Sequence, residues 1–385
     1  MEIEEVKTDC RHFRGEFPCR FRRTCPGCQE YSPMGRRVLI VKLGALGDVL
    51  RTTPLLRRLH AQGRPVHITW VTAPQSMPLL SGNPLLDRVL PWGVEALVRL
   101  DAERFHQVIS LDKAPEAAAL AVRVKAEERF GFGLDARGGL VPLNRESGYA
   151  YLLGLDDELK FRGNTRTYQE ISFDQLGWAF QGEEYVFCLT QEERRWAEGR
   201  IRGLGLADGP PPVGLAVGAG SVFANKTWPP HRWAALALRI PQELPRGVIL
   251  LVGPEETDLG REVRGLMGGS AAPLSGGDHG VREFAALVER CSCVVSGDTL
   301  AMHLAIAVRT PVVALFGPTC AQEVELYGRG VKIASPKPCA PCYRRKCDLS
   351  PTCMEEISEE EVMGAVRRVM NLHGQDRRPG RLGCP

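Results

Sequence analysis

Three things are missing from this sequence of 385 residues, and each removes a class of protein. No apolar stretch approaches the roughly twenty residues that a membrane-spanning helix needs. No charge sign is in excess: 49 lysines and arginines face 46 aspartates and glutamates, which excludes a polyanion binder working by bulk charge but not a local basic patch. The first residues, MEIEEVKTDC, are acidic and polar, unlike a secretory signal, so the expected location is the cytoplasm. What is present is apolar content of 44%, enough to give a real core to each of two domains of ordinary size.

Strand-like and helix-like segments alternate along most of the chain. RRVLIVKL (Arg36 to Leu43) reads as a strand and VLRTTPLLRRLHAQG (Val49 to Gly63) as one helix closed by glycine. VHITWVTA, a short stretch within LLDRVLPW and HQVISLD follow as strands, with a helix near Val94 and an alanine-rich segment from Ala114 to Glu127. Residues 130–166 have weaker periodicity and stay unassigned. After the proline-rich ADGPPP a second series begins: VGLAVGA, GVILLVG, CVVSG and PVVALFG as strands, with helices from His231 and at VREFAALVERC and LAMHLAIAV. The expectation is α/β, with two Rossmann-like domains facing a cleft that would hold the site. The expected division is a cysteine-rich arm at 1–36, an N-terminal domain at 37–206, a C-terminal domain at 207–354, a helix at 355–373 and a disordered tail at 374–385.

Chemistry concentrates where strands end. KLGALGDVLRTTPLL leaves the first strand through Gly44 and Gly47, which permit close approach of backbone to ligand. A third glycine at dinucleotide spacing is lacking. Asp48 sits where a carboxylate can cap the next helix, or can project as a general base toward an acceptor hydroxyl. In the second series, GAGSVFANKTWP carries Ser221, Asn225 and Lys226. A lysine there can neutralise a diphosphate leaving group, although a loop lysine more often faces solvent. SGDTLAMHLA places Asp298 and Thr299 at a strand end and helix start, with His303 one turn on; that histidine reads equally as a core-edge residue. FGPT adds Gly317 and Thr319 at a third strand end.

These motifs resemble the ADP-heptose:lipopolysaccharide heptosyltransferase family (glycosyltransferase family 9) over roughly Val38 to Val369. KLGALGDVLRTTPLL, NKTWP, SGDTLAMHLAIAVRTPVVALFGPT and the C-terminal cysteine segment carry the resemblance. It implies a GT-B fold, with 37–206 as the acceptor domain and 207–354 as the nucleotide-sugar domain, and an inverting transfer of heptose from an ADP-sugar to a lipopolysaccharide-core or related acceptor. In that reading Asp48 is the base, Lys226 lies near the diphosphate, and the Asp298–Thr299 helix start holds the donor phosphates with His303 beside them. Glu255, in the GPEE turn, would bind the nucleotide ribose. No cofactor or catalytic metal is implied for the transfer, and no nucleic-acid partner. Peripheral contact with the inner face of the cytoplasmic membrane is an added expectation. The N-terminal arm departs from the family pattern, so a protein acceptor or another nucleotide sugar stays open. Two other classes compete: a sugar-nucleotide epimerase, which needs one complete dinucleotide site, and a non-enzymatic metal-stabilised protein binding nucleic acid through the arm's arginines.

Thirteen cysteines are unusual in such a chain, and eight fall in two tight groups. Cys10, Cys19, Cys25 and Cys28 occupy the arm; Cys339, Cys342, Cys347 and Cys353 lie near the C-terminus. In a reducing compartment such groups predict structural zinc or an iron–sulfur cluster, because soft thiolates suit both, with free thiols as the alternative. Cys188, Cys291, Cys293 and Cys320 are expected as buried thiols.

Overall fold

The computed structural model describes residues 1–220, 224–268 and 272–373. Within these the chain divides into two units, one of residues 1–152 with 171–183, the other of 153–170 with 184 onward. Each is an α/β body built on one sheet.

The first sheet holds β1 (Arg36–Val41), β2 (Val66–Thr72), β3 (Arg88–Pro91), β4 (Arg104–Ser110), β5 (Lys125–Leu134) and β6 (Leu140–Pro142) in the order β3-β2-β1-β4-β5-β6. All neighbours run parallel except β6, which pairs antiparallel with β5. Val38, Leu39, Ile40 and Val41 are fully buried, which is why β1 reads as an unbroken apolar run: a central parallel strand is covered on both faces. Leu39 and Val41 join Phe105, Val108, Leu120 and Val124 in the core. Because β1 pairs with β2 on one side and β4 on the other, the strand order reverses between β1 and β4, where open α/β sheets bind ligands at their carboxyl ends.

The second sheet holds β7 (Val213–Ala216), β8 (Val248–Leu251), β9 (Cys293–Gly297), β10 (Val312–Phe316) and β11 (Gly330–Ala334), all parallel, in the order β11-β10-β9-β7-β8. A single parallel bridge, Leu250 to Leu274, adds one residue beyond β8. With it counted, this sheet repeats the order of the first, and its reversal lies between β7 and β9. The helix Glu359–His373 closes this unit, burying Val362, Met363, Val366 and Val369 against its core.

Three expectations change. The helix read from Val49 to Gly63 is two, Leu46–Thr52 and Pro54–His60, because Pro54 has no amide hydrogen to continue the ladder and instead starts a new helix. The unassigned stretch contains the end of β5, β6 and several short helical turns. The chain passes between the units after Leu152, Glu170 and Glu183 rather than once after Leu206, so the helix Gln191–Gly203 belongs to the second unit. There Arg194 is paired with Glu289 at 2.9 Å and Glu193 with Arg282 at 2.5 Å, fixing that helix to its neighbour Val281–Glu289. The predicted disordered tail lies outside the described residues.

Candidate functional site

In the first unit the strand end after β1 gathers four charged side chains. Lys42 is 5% exposed, and its Nζ lies 3.7 Å from Asp48 Oδ2 and 3.7 Å from Asp112 Oδ2. Arg51 Nη2 meets Asp48 Oδ1 at 2.8 Å. Asp48 also accepts a hydrogen bond from the Ala45 amide at 3.3 Å. From the first turn of the helix Leu46–Thr52 it satisfies the amide that begins the helix, and its side chain keeps 31% of its surface exposed. A Cβ at Gly44 would meet nothing within 4 Å, so the loop is open there. Gly47 lies within the helix Leu46–Thr52, beside Asp48.

Asp112 escaped sequence reasoning. From the end of β4 it accepts from the amides of Leu43 at 2.9 Å, Gly44 at 3.3 Å and Ala114 at 3.1 Å. Its signal was present: an aspartate directly after a buried strand, in SLDKAP, level with the glycine turn after β1.

In the second unit Lys226 and the SGDT segment come together. Lys226 Nζ lies 3.4 Å from Asp298 Oδ2 and donates to the Asp298 carbonyl at 3.3 Å. A Cβ at Gly297 would come within 3.0 Å of the Lys226 carbonyl, so glycine here lets the lysine loop lie against β9. Thr299 precedes the helix Leu300–Ala307, and its Oγ1 is 3.1 Å from Ser296 Oγ. His303 is buried; its Nε2 is 3.9 Å from Asp298 Oδ1 and its Nδ1 is 3.2 Å from the Tyr185 hydroxyl, which Gln169 also contacts. His303 is thus at once a core residue and part of the charged cluster. Tyr185 is a second partner that sequence reasoning missed.

Thr319 Oγ1 and Asn225 Oδ1 are among the buried polar atoms left without a hydrogen-bond partner among the described residues. Such atoms cost free energy unless water or a ligand meets them. Asn225 spends its amide nitrogen on the Arg344 carbonyl at 2.6 Å. Ser221 lies outside the described residues. Glu255 is exposed at the end of β8, whereas its neighbour Glu256 turns inward, accepting from Gly253 at 3.1 Å and Gly220 at 3.2 Å. Glu256, then, ties the GPEE turn to the glycine loop after β7.

Cys10, Cys19, Cys25 and Cys28 in the arm and Cys339, Cys342, Cys347 and Cys353 near the C-terminus are free cysteines. Among the described residues no group of three or more His, Cys, Asp or Glu side chains is placed to hold a metal ion. Their local structure is made by backbone contacts. Arg11 anchors the arm through the Val66 carbonyl at 2.8 Å, and Cys10 bridges to Pro33. In the C-terminal group the amides of Cys342 and Tyr343 donate to the Pro318 carbonyl at 3.0 and 2.8 Å, and a Cβ at Gly317 would come within 2.7 Å of Cys353 Sγ. Burial first, then the neighbouring thiols of Cys342, Cys347 and Cys339, push the Cys353 thiol up to about 11. The group therefore packs on the FGPT turn. Of the remaining cysteines, Cys291, Cys293 and Cys320 are buried as expected, while Cys188 is half-buried and disulfide-bonded.

Residues 96–352, more than half of the chain, match the model of glycosyltransferase family 9 (heptosyltransferase). The chain belongs to that family. Among curated relatives, lipopolysaccharide heptosyltransferase 1 of Pseudomonas aeruginosa is 28% identical over 336 residues, covering 82% of this chain and 88% of that protein. Lipopolysaccharide heptosyltransferase 2 of Escherichia coli is 24% identical over 305 residues, covering 74% and 83%. A family 9 glycosyl transferase from Veillonella parvula has the same fold, with a TM-score of 0.67 at 22% identity over 88% of this chain and 97% of its own. So does the ADP-heptose heptosyltransferase II of E. coli, with a TM-score of 0.65 at 19% identity over 88% and 99%. The two sheets are accordingly the two Rossmann-like domains of a GT-B glycosyltransferase.

Proposed function

We propose that this chain moves a heptose from ADP-heptose to a lipopolysaccharide-core acceptor, inverting the anomeric carbon. The observation that carries the reading is the cluster of Lys226, Asp298 and His303 at the strand-order reversal of the second sheet, with two orphaned polar atoms in the same set of loops. Relatives named for this activity along most of the chain support it.

In the proposed step Asp48 takes the proton of the acceptor hydroxyl as its oxygen attacks the anomeric carbon. The bond from that carbon to the diphosphate oxygen breaks, and ADP leaves with the electron pair. Lys226 compensates the charge growing on the diphosphate, the role electrostatics gives a fixed cation beside a leaving group. The amides opening the helix Leu300–Ala307 after Thr299 hold the phosphates, with Asp298 fixing Lys226 and His303 beside them. Asn225, Ser221, Gly317 and Thr319 line the donor, and Glu255 binds the ribose. Gly44 and Gly47 leave the acceptor room to reach Asp48. Neither cysteine group enters the transfer.

The acceptor is the finer part of the proposal. Phe17 is 66% exposed on the arm, and Arg14, Arg20, Arg22 and Arg23, near it in sequence, are exposed too, which supports peripheral contact with anionic lipid at the cytoplasmic face of the inner membrane. No helix among the described residues is long and apolar enough to cross a membrane.

Incubation with ADP-heptose and a lipid A–Kdo acceptor, followed by assay of released ADP and of the extended acceptor, tests the function. Release of ADP with sugar on the lipid supports it. Release of UDP or GDP from a donor screen, with ADP-heptose inert, would overturn the donor; sugar found only on protein would overturn the acceptor.

A further inference from the structure

We propose that Asp112 is a positioning residue for the transfer step: from the end of β4 it fixes Lys42 and the backbone of the glycine turn, and so sets the charge that Asp48 feels. This rests on Asp48 as the base.

The geometry argues for more than a structural anchor. One oxygen of Asp112, Oδ2, accepts from the Leu43 and Gly44 amides at 2.9 and 3.3 Å and faces Lys42 Nζ at 3.7 Å. The other, Oδ1, is engaged by the Ala114 amide at 3.1 Å. Asp112 thus holds the residues on either side of the point where β1 becomes the Gly44–Asp48 loop. The sheet makes this possible, since Val41 is level with Ser110 in the β1–β4 register and the two strand ends leave together.

The charge arrangement supplies the chemistry. Lys42 stands at equal distance, 3.7 Å, from Asp48 and Asp112, and Arg51 stands 2.8 Å from Asp48 on the other oxygen. A carboxylate facing two cations is a poor base, because each holds it in its ionised form. A second carboxylate sharing the buried lysine lessens that hold. Asp112 therefore keeps Asp48 both in place and basic enough to accept a proton. Lys113, next in sequence, points elsewhere, donating to the Ala150 carbonyl at 2.7 Å.

Asp112→Asn removes the charge while its amide oxygen still accepts from Leu43 and Gly44, at the loss of the Ala114 contact. Lys42 then faces one carboxylate fewer, so its hold on Asp48 tightens and keeps it ionised to lower pH. The acid limb of kcat/KM should move down by about one pH unit, kcat should fall about tenfold, and KM for the donor should stay unchanged. Asp112→Glu should return the limb toward its original position, and Lys42→Met should move it the opposite way. If Asp112→Asn fails to fold, Lys42→Met carries the test. Direct NMR titration of the Asp48 carboxyl in wild type and Asp112→Asn reads the same displacement without any substrate. A lowered melting temperature with an unmoved limb and an unmoved Asp48 titration would overturn the proposal. Absence of turnover in the wild type, with the titration displaced as stated, would instead fault the functional reading and leave Asp112 in its role.

Discussion

Lys226 Nζ and Asp298 Oδ2 lie 3.4 Å apart, and the same aspartate faces His303 from its other oxygen at 3.9 Å. A carboxylate placed beside a diphosphate site would repel the ligand if it stood alone. Here it stands against Lys226, the cation proposed to meet the diphosphate. Lys226→Ala should therefore weaken ADP binding at least tenfold by calorimetry, as loss of a charge-assisted contact worth about 1.5–3 kcal/mol requires. Asp298→Ala should weaken it too, through a displaced Lys226. The double variant should be little worse than Lys226→Ala, because residues of one network are not additive. Full additivity would mean that Asp298 meets the ligand independently of Lys226.

Asp48→Asn tests the base. It keeps the shape that caps the helix Leu46–Thr52 and removes the proton acceptor, so turnover should fall by about 10²–10⁴-fold. Donor affinity should be unchanged, because the role proposed for Asp48 is toward the acceptor hydroxyl and not toward the donor. Melting temperature should shift only slightly, since the side chain is part-exposed and its pairs with Arg51 and Lys42 contribute modestly there. Near-normal turnover in this variant would remove Asp48 from the chemistry.

Much of this was legible in the sequence because the signals are local. Buried parallel strands announce themselves as apolar runs, and β1, β7, β8, β9 and β10 were read that way. Turns rich in Gly, Asp and Ser at their ends located Asp48, Lys226 and Asp298. What was not legible depends on partners far away in the chain. Asp112 matters because β4 lies beside β1, and Tyr185 because it reaches His303 across 118 positions. The helix Gln191–Gly203 had a local signal in TQEE: Thr190 and Glu193 cap each other's amides at 3.2 and 2.7 Å. Its unit did not, because membership is set by pairing with Glu289 and Arg282. The cysteine spacing suggests metal, but that Cys339, Cys342 and Cys347 lie near enough to act on the Cys353 thiol is a property of the folded chain.

The two glutamates of GPEE should separate binding from stability. Glu256 holds the Gly253 and Gly220 amides, so Glu256→Ala should lower the melting temperature by several degrees, as loss of about 1 kcal/mol does in a domain of this size. Glu255 is exposed, so Glu255→Ala should leave melting unchanged while weakening ADP and leaving affinity for free pyrophosphate intact. Calorimetry with both ligands decides. Equal loss for the two would take Glu255 away from the ribose.

The thiols should react in a fixed order. Backbone amides of Arg23, Phe21 and Arg22 point at the Cys19 sulfur and pull its thiol below the ordinary cysteine range, because hydrogen bonds to sulfur favour the thiolate. Burial acts in the opposite sense on Cys320, pushed up to about 12, and burial with three neighbouring thiols on Cys353, pushed up to about 11. The thiolate is the nucleophile, so its fraction at a given pH sets the rate of alkylation. A depressed thiol ionises earlier as pH rises, and a raised one later. With iodoacetamide at pH 7.5 Cys19 should therefore be labelled first, while Cys320 and Cys353 should resist until the protein unfolds. Raising the pH to 9 should accelerate Cys19 less than an unperturbed cysteine, because more of it is already ionised. Peptide mapping by mass spectrometry over a time course reads the order. Early labelling of Cys353 would mean that its packing against Gly317 opens in solution, and ADP should then be tested for its power to close it.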